Sequence, residues 1–195
     1  MELFLQKFCQ KYNLPISICK QWIEQMQPYF FRKGEYLVKE GEKNTHIYIT
    51  KTGIWRGFYT HAEGEETSLW FITEGDILFS SNGFMDNRSS LLSIEAMSDC
   101  IVYGISRQNT EKFFCSSIET ANFGRKLFEQ LFLYTENWMI QGGSPRARER
   151  YLKLINEAPE LLLNVPLKHL ASYLWITPQS LSRIRAEIIK EKQES

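Results

Sequence analysis

Apolar residues near the start of the chain recur at helical spacing: Leu3, Phe4, Phe8 and Tyr12, then Ile18, Trp22, Ile23 and Met26. This predicts helical structure over residues 1–30, interrupted or ended at Pro15 and Pro28, since proline lacks the N–H a helix interior needs. From Phe31 to about Ser106 the pattern changes. Short runs rich in β-branched and aromatic residues (Tyr36-Leu37-Val38, Ile47-Tyr48-Ile49, Ile54 to Tyr59, Thr67 to Ile72) alternate with turns at Gly41-Glu42, Gly53, Glu63-Gly64 and Glu74-Gly75-Asp76. Leu91 to Ala96 and Cys100 to Ile105 complete the set. Short strands separated at such regular intervals predict an all-β sandwich or barrel.

Helical spacing returns from about Gln108 to Ile140. Ile118, Phe123, Leu127, Phe128, Leu131, Phe132, Tyr134, Trp138 and Met139 cover more than a narrow stripe, so one small domain leaves an apolar face over. A second subunit against that face is the expected cover. Gly142-Gly143-Ser144-Pro145 then ends the helix and supplies a hinge. The expected divisions are a β-domain with flanking helices over residues 1–115, the long helix and hinge over 116–143, and a small helical unit over 144–195.

Within that last unit, Arg146 to Asn156 forms an amphipathic helix with Tyr151, Leu152, Leu154 and Ile155 inward, stopped by Pro159. A short helix follows, with Leu167, Leu170, Ala171 and Leu174 on one side. Thr177 is a good N-cap and Pro178 suits the first helical position, so a second helix starts there and buries Leu181, Ile184 and Ile188. Gln179, Ser180, Ser182 and Arg183 are left outward. An ordinary helical hairpin shares the packing, but two short helices, a tight turn and a polar, basic second helix together describe a helix-turn-helix. An α-helix fits the DNA major groove, where arginine grips guanine and glutamine reads adenine. The base-reading candidates are therefore Gln179, Ser180 and Arg183, with Thr177, Ser182, Lys168 and Arg185 as phosphate contacts.

Charge supports that placement. The 195 residues carry 23 basic and 23 acidic side chains and no net charge. Between Leu161 and Lys190, however, Lys168, Arg183, Arg185 and Lys190 face the single acid Glu187. No apolar run is long enough to span a bilayer, and charge interrupts the first residues too early for a secretory signal, so a cytoplasmic protein is expected. Cys9, Cys19, Cys100 and Cys115 form no C-x-x-C pair and read as reduced, mostly buried thiols. His46, His61 and His169 are isolated, unlike the clustered ligands of a β-barrel metalloenzyme of the cupin type. No catalytic set, metal or cofactor is expected. The rival of a different class is a small-molecule sensor whose C-terminal helices bind a protein partner.

Two stretches carry a resemblance to a known family. Lys33-Gly34-Glu35-Tyr36-Leu37, Glu40-Gly41-Glu42, Tyr48 to Gly53, Gly64 and Glu74-Gly75-Asp76 are similar to the glycine framework of a cyclic-nucleotide-type β-roll. Pro166-Leu167, Leu170 to Leu174 and Ile176 to Arg185 resemble the helix-turn-helix of short Bacteroidetes-type members of the cyclic-AMP receptor protein and fumarate–nitrate regulator (Crp/Fnr) family of transcription factors. The resemblance implies an α+β protein: an N-terminal β-roll (double-stranded β-helix) acting as sensor, a long dimerisation helix, and a C-terminal helix-turn-helix domain without a wing. It implies a homodimer on a pseudo-palindromic duplex, and leaves a small-molecule effector and RNA polymerase open as further partners. Carried over by position, the effector pocket is the stretch Phe79, Ser80, Ser81, Asn82, Arg88, Ser90 and Leu91. Ser80 and Ser90 fall where cyclic-AMP-binding members place a glutamate and an arginine, and Leu91 where a phosphate-binding serine or threonine would lie. The sensor is therefore expected not to use cyclic AMP. Trp175 stands where the family's turn usually has glycine, so either the turn changes shape or the indole packs to compensate.

Overall fold

The structure, a computed structural model, describes residues 2–142 and 146–194. It opens with helices α1 (Glu2–Lys11) and α2 (Ile16–Ile23). Among the described residues eight strands follow: β1 (Gln27–Phe31), β2 (Tyr36–Val38), β3 (His46–Thr52), β4 (Trp55–Thr60), β5 (Glu66–Ile72), β6 (Ile77–Phe79), β7 (Ser93–Ala96) and β8 (Cys100–Ser106). Helix α3 (Ser81–Asp86) lies between β6 and β7. The rest is helical: α4 (Arg107–Phe114), α5 (Ile118–Gly142), α6 (Ala147–Glu157), α7 (Pro159–Asn164), α8 (Leu167–Tyr173) and α9 (Pro178–Glu194). No helix among the described residues is long and apolar enough to cross a membrane.

The strands make two antiparallel sheets, ordered β1-β8-β3-β6 and β2-β7-β4-β5. Between them pack Val38, Tyr48, Trp55, Leu78, Ile94 and Val102. Alternation divides β3 between two layers. Tyr48 enters this inner cluster, while Ile47 and Ile49 join the helices through Phe8, Trp22, Phe113, Phe123 and Leu127. Burial on both faces is why β3 reads as a continuous apolar run. A third cluster holds Tyr151, Leu154, Leu161, Leu170, Ala171, Leu174, Leu181, Ile184 and Ile188 from the C-terminal helices, and takes in Ile54, Phe71 and Met97 from the β-roll. Cys9, Cys19 and Cys100 are buried free thiols and Cys115 is an exposed one.

Several boundaries differ from the sequence reading. Residues 27–31 are strand rather than helix, and Pro28 is tolerated because β1 is an edge strand bonded to β8 alone. The helical stretch expected from Gln108 is two helices. Ser117 and Thr120 cap the second reciprocally: the Thr120 N–H donates to Ser117 Oγ (3.1 Å) and the Ser117 N–H to Thr120 Oγ1 (3.0 Å). Pro159 begins a helix of its own, at the position where a missing N–H costs nothing. The strand expected from Leu91 starts at Ser93. Helix α3, unforeseen, presses on the loop before β3 so closely that a Cβ at Gly83 would stand 2.2 Å from the Asn44 carbonyl oxygen. Of the expected hinge, Gly142 closes α5, and Gly143, Ser144 and Pro145 lie outside the described residues.

Candidate nucleic-acid interface

Helices α8 and α9 are joined by a tight turn. The Ile176 N–H donates to the Ala171 carbonyl and the Trp175 N–H to the Ser172 carbonyl, each at 3.0 Å. Trp175 sits in the left-handed region with φ 58°. This pairing is a Schellman termination, which favours glycine at that residue. The turn therefore keeps the shape that glycine would give. Trp175 is 57% exposed, so the core does not compensate for its backbone. Arg150 of α6 adds a hydrogen bond of 2.7 Å from Nη2 to the Leu174 carbonyl at the end of α8.

Thr177 caps α9 as expected. Its Oγ1 accepts the Ser180 N–H (3.1 Å), and its hydroxyl donates to Ser180 Oγ (3.0 Å). Leu181, Ile184 and Ile188 are buried. Gln179, Ser182, Arg183 and Arg185 are exposed and Ser180 is half-buried. Helical geometry puts Gln179, Ser182 and Arg183 on one face, with exposed Ala186 beside them and Arg185 turned away. Arg183 Nε lies 4.0 Å from Glu187 one turn on.

Lys168 belongs to a different surface. It is exposed and stands one turn before Ser172 on α8, and the Ser172 hydroxyl meets the β-roll. Strand β5 is the edge of its sheet, and Ser172 bonds its outward backbone groups: the Ser68 N–H donates to Ser172 Oγ (2.8 Å), whose hydroxyl donates to the Glu66 carbonyl (3.1 Å). Beside this contact Tyr173 meets Phe71 edge to face, with ring centroids 5.3 Å apart. Below it lies Arg56, only 1% exposed. Its Nε donates to Ser68 Oγ (2.8 Å) and its Nη1 to Glu66 Oε2 (2.7 Å), with Glu95 3.7 Å away. Burial pushes the Glu95 carboxyl up, and the charges of Arg56 and Lys168 oppose that rise. Burial, then Arg56 and Lys168, push the His169 imidazole down to about 4. Sequence reasoning missed Ser172, Arg56 and Arg150, because each acts on a partner remote in the chain. A cavity of about 400 Å³ adjoins this junction, walled in part by Phe71, Tyr134, Tyr173 and Trp175.

The effector-pocket residues serve the β-roll itself. Ser80 Oγ accepts the Gly83 N–H at 3.3 Å and caps α3. The Ser90 hydroxyl donates to the Leu92 carbonyl at 2.7 Å, while its backbone pairs with Gly41 and Glu42 (Gly41 N–H to Ser90 carbonyl 2.9 Å, Ser90 N–H to Glu42 carbonyl 2.8 Å). Both serines are buried. Phe79 stacks edge to face with Phe84, 5.6 Å between centroids. The Asn82 carbonyl accepts the Arg88 N–H at 3.0 Å. The Arg88 side chain points outward and pairs with Asp86, and Ser81 and Leu91 are exposed. These residues do not line the junction cavity.

Residues 29–117 match the family model of the cyclic nucleotide-binding domain. Among solved structures the chain is similar to FixK2 from Bradyrhizobium japonicum, with a TM-score of 0.73 and 22% identity over 86% of each chain. It is similar also to CLP, a c-di-GMP-responsive global regulator of Xanthomonas campestris (TM-score 0.70, 12% identity, covering 91% of this chain and 93% of that one). With the catabolite activator protein of Thermus thermophilus the TM-score is 0.54 and the identity 17%, covering 95% and 88%. No curated protein matches the chain. A β-roll followed by a long helix and a helix-turn-helix defines the class. The β-roll matches the cyclic nucleotide-binding domain family, and the whole chain shares the fold of these solved structures, the architecture that its sequence resemblance to Crp/Fnr regulators implies.

Two outcomes follow from the junction. Trp175→Gly should raise stability by about 1 kcal/mol, the left-handed penalty less the entropy glycine loses on folding, read as a higher urea midpoint. His169 in the unfolded chain binds a proton near its ordinary 6.5, but in the folded protein only near about 4. The stability it contributes is complete above the first value and lost as pH falls toward the second. His169→Gln should therefore lose less stability than wild type between those limits in urea unfolding at stepped pH.

Proposed function

We propose that the protein is a homodimeric, sequence-specific DNA-binding transcription regulator whose sensor does not take cyclic AMP. The observation that carries this reading is α9: a helix capped by Thr177, seated by Leu181, Ile184 and Ile188, with Gln179, Ser182 and Arg183 on one exposed face. Gln179, Ser180 and Arg183 read base edges, and exposed Ala186 adds a small apolar side chain of the kind that meets a thymine methyl. Thr177, Ser182, Lys168 and Arg185 hold phosphates. One such module makes few contacts, and a two-fold pair doubles them. The first half of α5 buries Phe123 and Leu127 on the β-roll, while its second half exposes Phe132, Leu133, Met139 and Ile140, the face for a second copy. Residues 1–115 then form the sensor, 116–143 the dimer helix and hinge, and 144–195 the DNA-binding unit, in a cytoplasmic protein.

The chemistry of the β-roll supports the second half of the proposal. Ser80 and Ser90 offer neither the carboxylate nor the guanidinium that would hold a ribose hydroxyl and a cyclic phosphate, and both hydroxyls already serve local backbone. Tyr48, Trp55 and Trp70 pack within the inner cluster of the β-roll. A charge-assisted hydrogen bond is worth about 1.5–3 kcal/mol, so losing two weakens cyclic AMP binding by roughly 10²- to 10⁴-fold.

Selection of bound duplexes from a random pool should return a pseudo-palindrome. On that duplex Arg183→Ala should cost about 1–3 kcal/mol, and affinity should fall by about 0.9 log units per log salt for each phosphate neutralised. Unchanged affinity would remove Arg183 from the reading set, and a flat salt response would favour a protein partner. Calorimetry with micromolar cyclic AMP should show no binding heat.

A further inference from the structure

The cavity of about 400 Å³ at the junction shares no residue with the stretch that the resemblance places in an effector pocket, nor with the reading face of α9. Its wall takes aromatic side chains from three parts of the chain: Phe71 of β5, Tyr134 of α5, and Tyr173 and Trp175 from the end of α8 and the turn after it. Its size lies toward the lower end of ligand pockets, which hold about 300–1,000 Å³. Trp175 is the outlier in this wall. Its left-handed backbone (φ 58°) is strained for a residue with a Cβ, and an exposure of 57% leaves the core no means of offsetting that strain. Uncompensated strain of this kind points to a use for the side chain, and Trp175 borders the cavity.

Charge selects among ligands. Three carboxylates of the wall are matched by cations: Asp76 by Lys11, Glu149 by Arg146 and Glu157 by Lys153. The Arg150 guanidinium, in the same wall, donates to the Leu174 carbonyl at 2.7 Å. Glu160 is half-buried and makes no ion pair among the described residues. The aromatic faces are themselves negative, and one of them already takes a cation: Lys11 Nζ stands 5.6 Å from the centroid of the Tyr134 ring. We propose that this cavity binds a small organic cation, an amine with an apolar or aromatic body. The aromatic faces hold its ammonium group, Trp175 foremost because indole is the strongest of these rings for a cation, and Glu160 supplies the countercharge. Phe71, Tyr134 and Tyr173 enclose the body. This site does not rest on the DNA-binding reading.

The test titrates the isotope-labelled full chain with three probes that share a phenyl body and differ in the head: phenethylamine (positive), phenethyl alcohol (neutral) and phenylacetate (negative). Phenethylamine should shift the Trp175 indole N–H resonance by NMR, assigned as the signal missing from the Trp175→Gly variant. It should bind at least about ten-fold more tightly than either of the others. Trp175→Gly should weaken phenethylamine binding by about 2- to 30-fold, the range of one cation–π contact. That variant is expected to be more stable than wild type, so its higher urea midpoint separates lost binding from lost folding. Trp175→Phe keeps a ring and should fall between the two. Glu160→Gln should weaken the amine and leave the alcohol unchanged. If the alcohol or phenylacetate binds as tightly as the amine, the site does not select cations and the proposal is overturned. A Trp175 resonance that stays still at about 10 mM phenethylamine, or a Trp175→Gly variant that binds it as tightly as wild type, overturns it as well. No duplex is present in these titrations, so the DNA-binding reading stands or falls separately, by selection from the random pool.

Discussion

The seating of the C-terminal helices against the β-roll depends on one shared patch of apolar packing. Ile54, Phe71 and Met97 stand on strands or turns of the β-roll, yet they pack with Leu154, Leu161, Leu170 and their neighbours in the C-terminal helices. A unit as small as the C-terminal one has little interior of its own, and borrowing three large side chains enlarges it. The apolar contact is non-directional and would let the two parts slide. Direction comes from the polar groups around it: Ser172 on the β5 edge, Tyr173 against Phe71, and the buried Arg56 that ties Ser68 and Glu66 beneath them. Removing either kind of interaction leaves the other without its function.

Local chemistry was the legible part of the sequence. Thr177-Pro178 announces a helix start because capping involves only neighbouring residues, and the spacing of Leu181, Ile184 and Ile188 then determines which side faces in. Trp175 was legible as an anomaly, and the structure resolves it: the turn is retained and the strain accepted. The strands were legible through their turns, where Gly53 and Gly75 adopt φ of 96° and 84°. Other features have no local signal. Helix α3 has six residues, too few for a period to register, and Pro28 reads as a helix stop although it lies on an edge strand. Arg56 sits inside a run that reads as a plain apolar strand, and its burial depends on acids supplied by two other strands. The docking of α8 joins residues more than a hundred positions apart, which no window along the chain spans.

The candidate site was legible in the same uneven way. Gln179, Ser182 and Arg183 emerge together on one exposed face because the helix period alone places them. Lys168 emerges elsewhere, since its surroundings are set by the β-roll. In the β-roll, Ser80 and Ser90, which the resemblance places in an effector pocket, cap α3 and close the loop at Gly41-Glu42. The cavity beside Tyr134, Tyr173 and Trp175 touches the β-roll, the long helix and the C-terminal helices at once.

The β5 edge has a consequence for solubility. Strand edges with free N–H and C=O groups recruit other strands, and proteins ordinarily blunt them with charge, proline or a cover. Here the cover is α8, without which seven residues of strand, Glu66–Ile72, ending in Leu69-Trp70-Phe71-Ile72, would lie bare. Such a segment is a template for self-association.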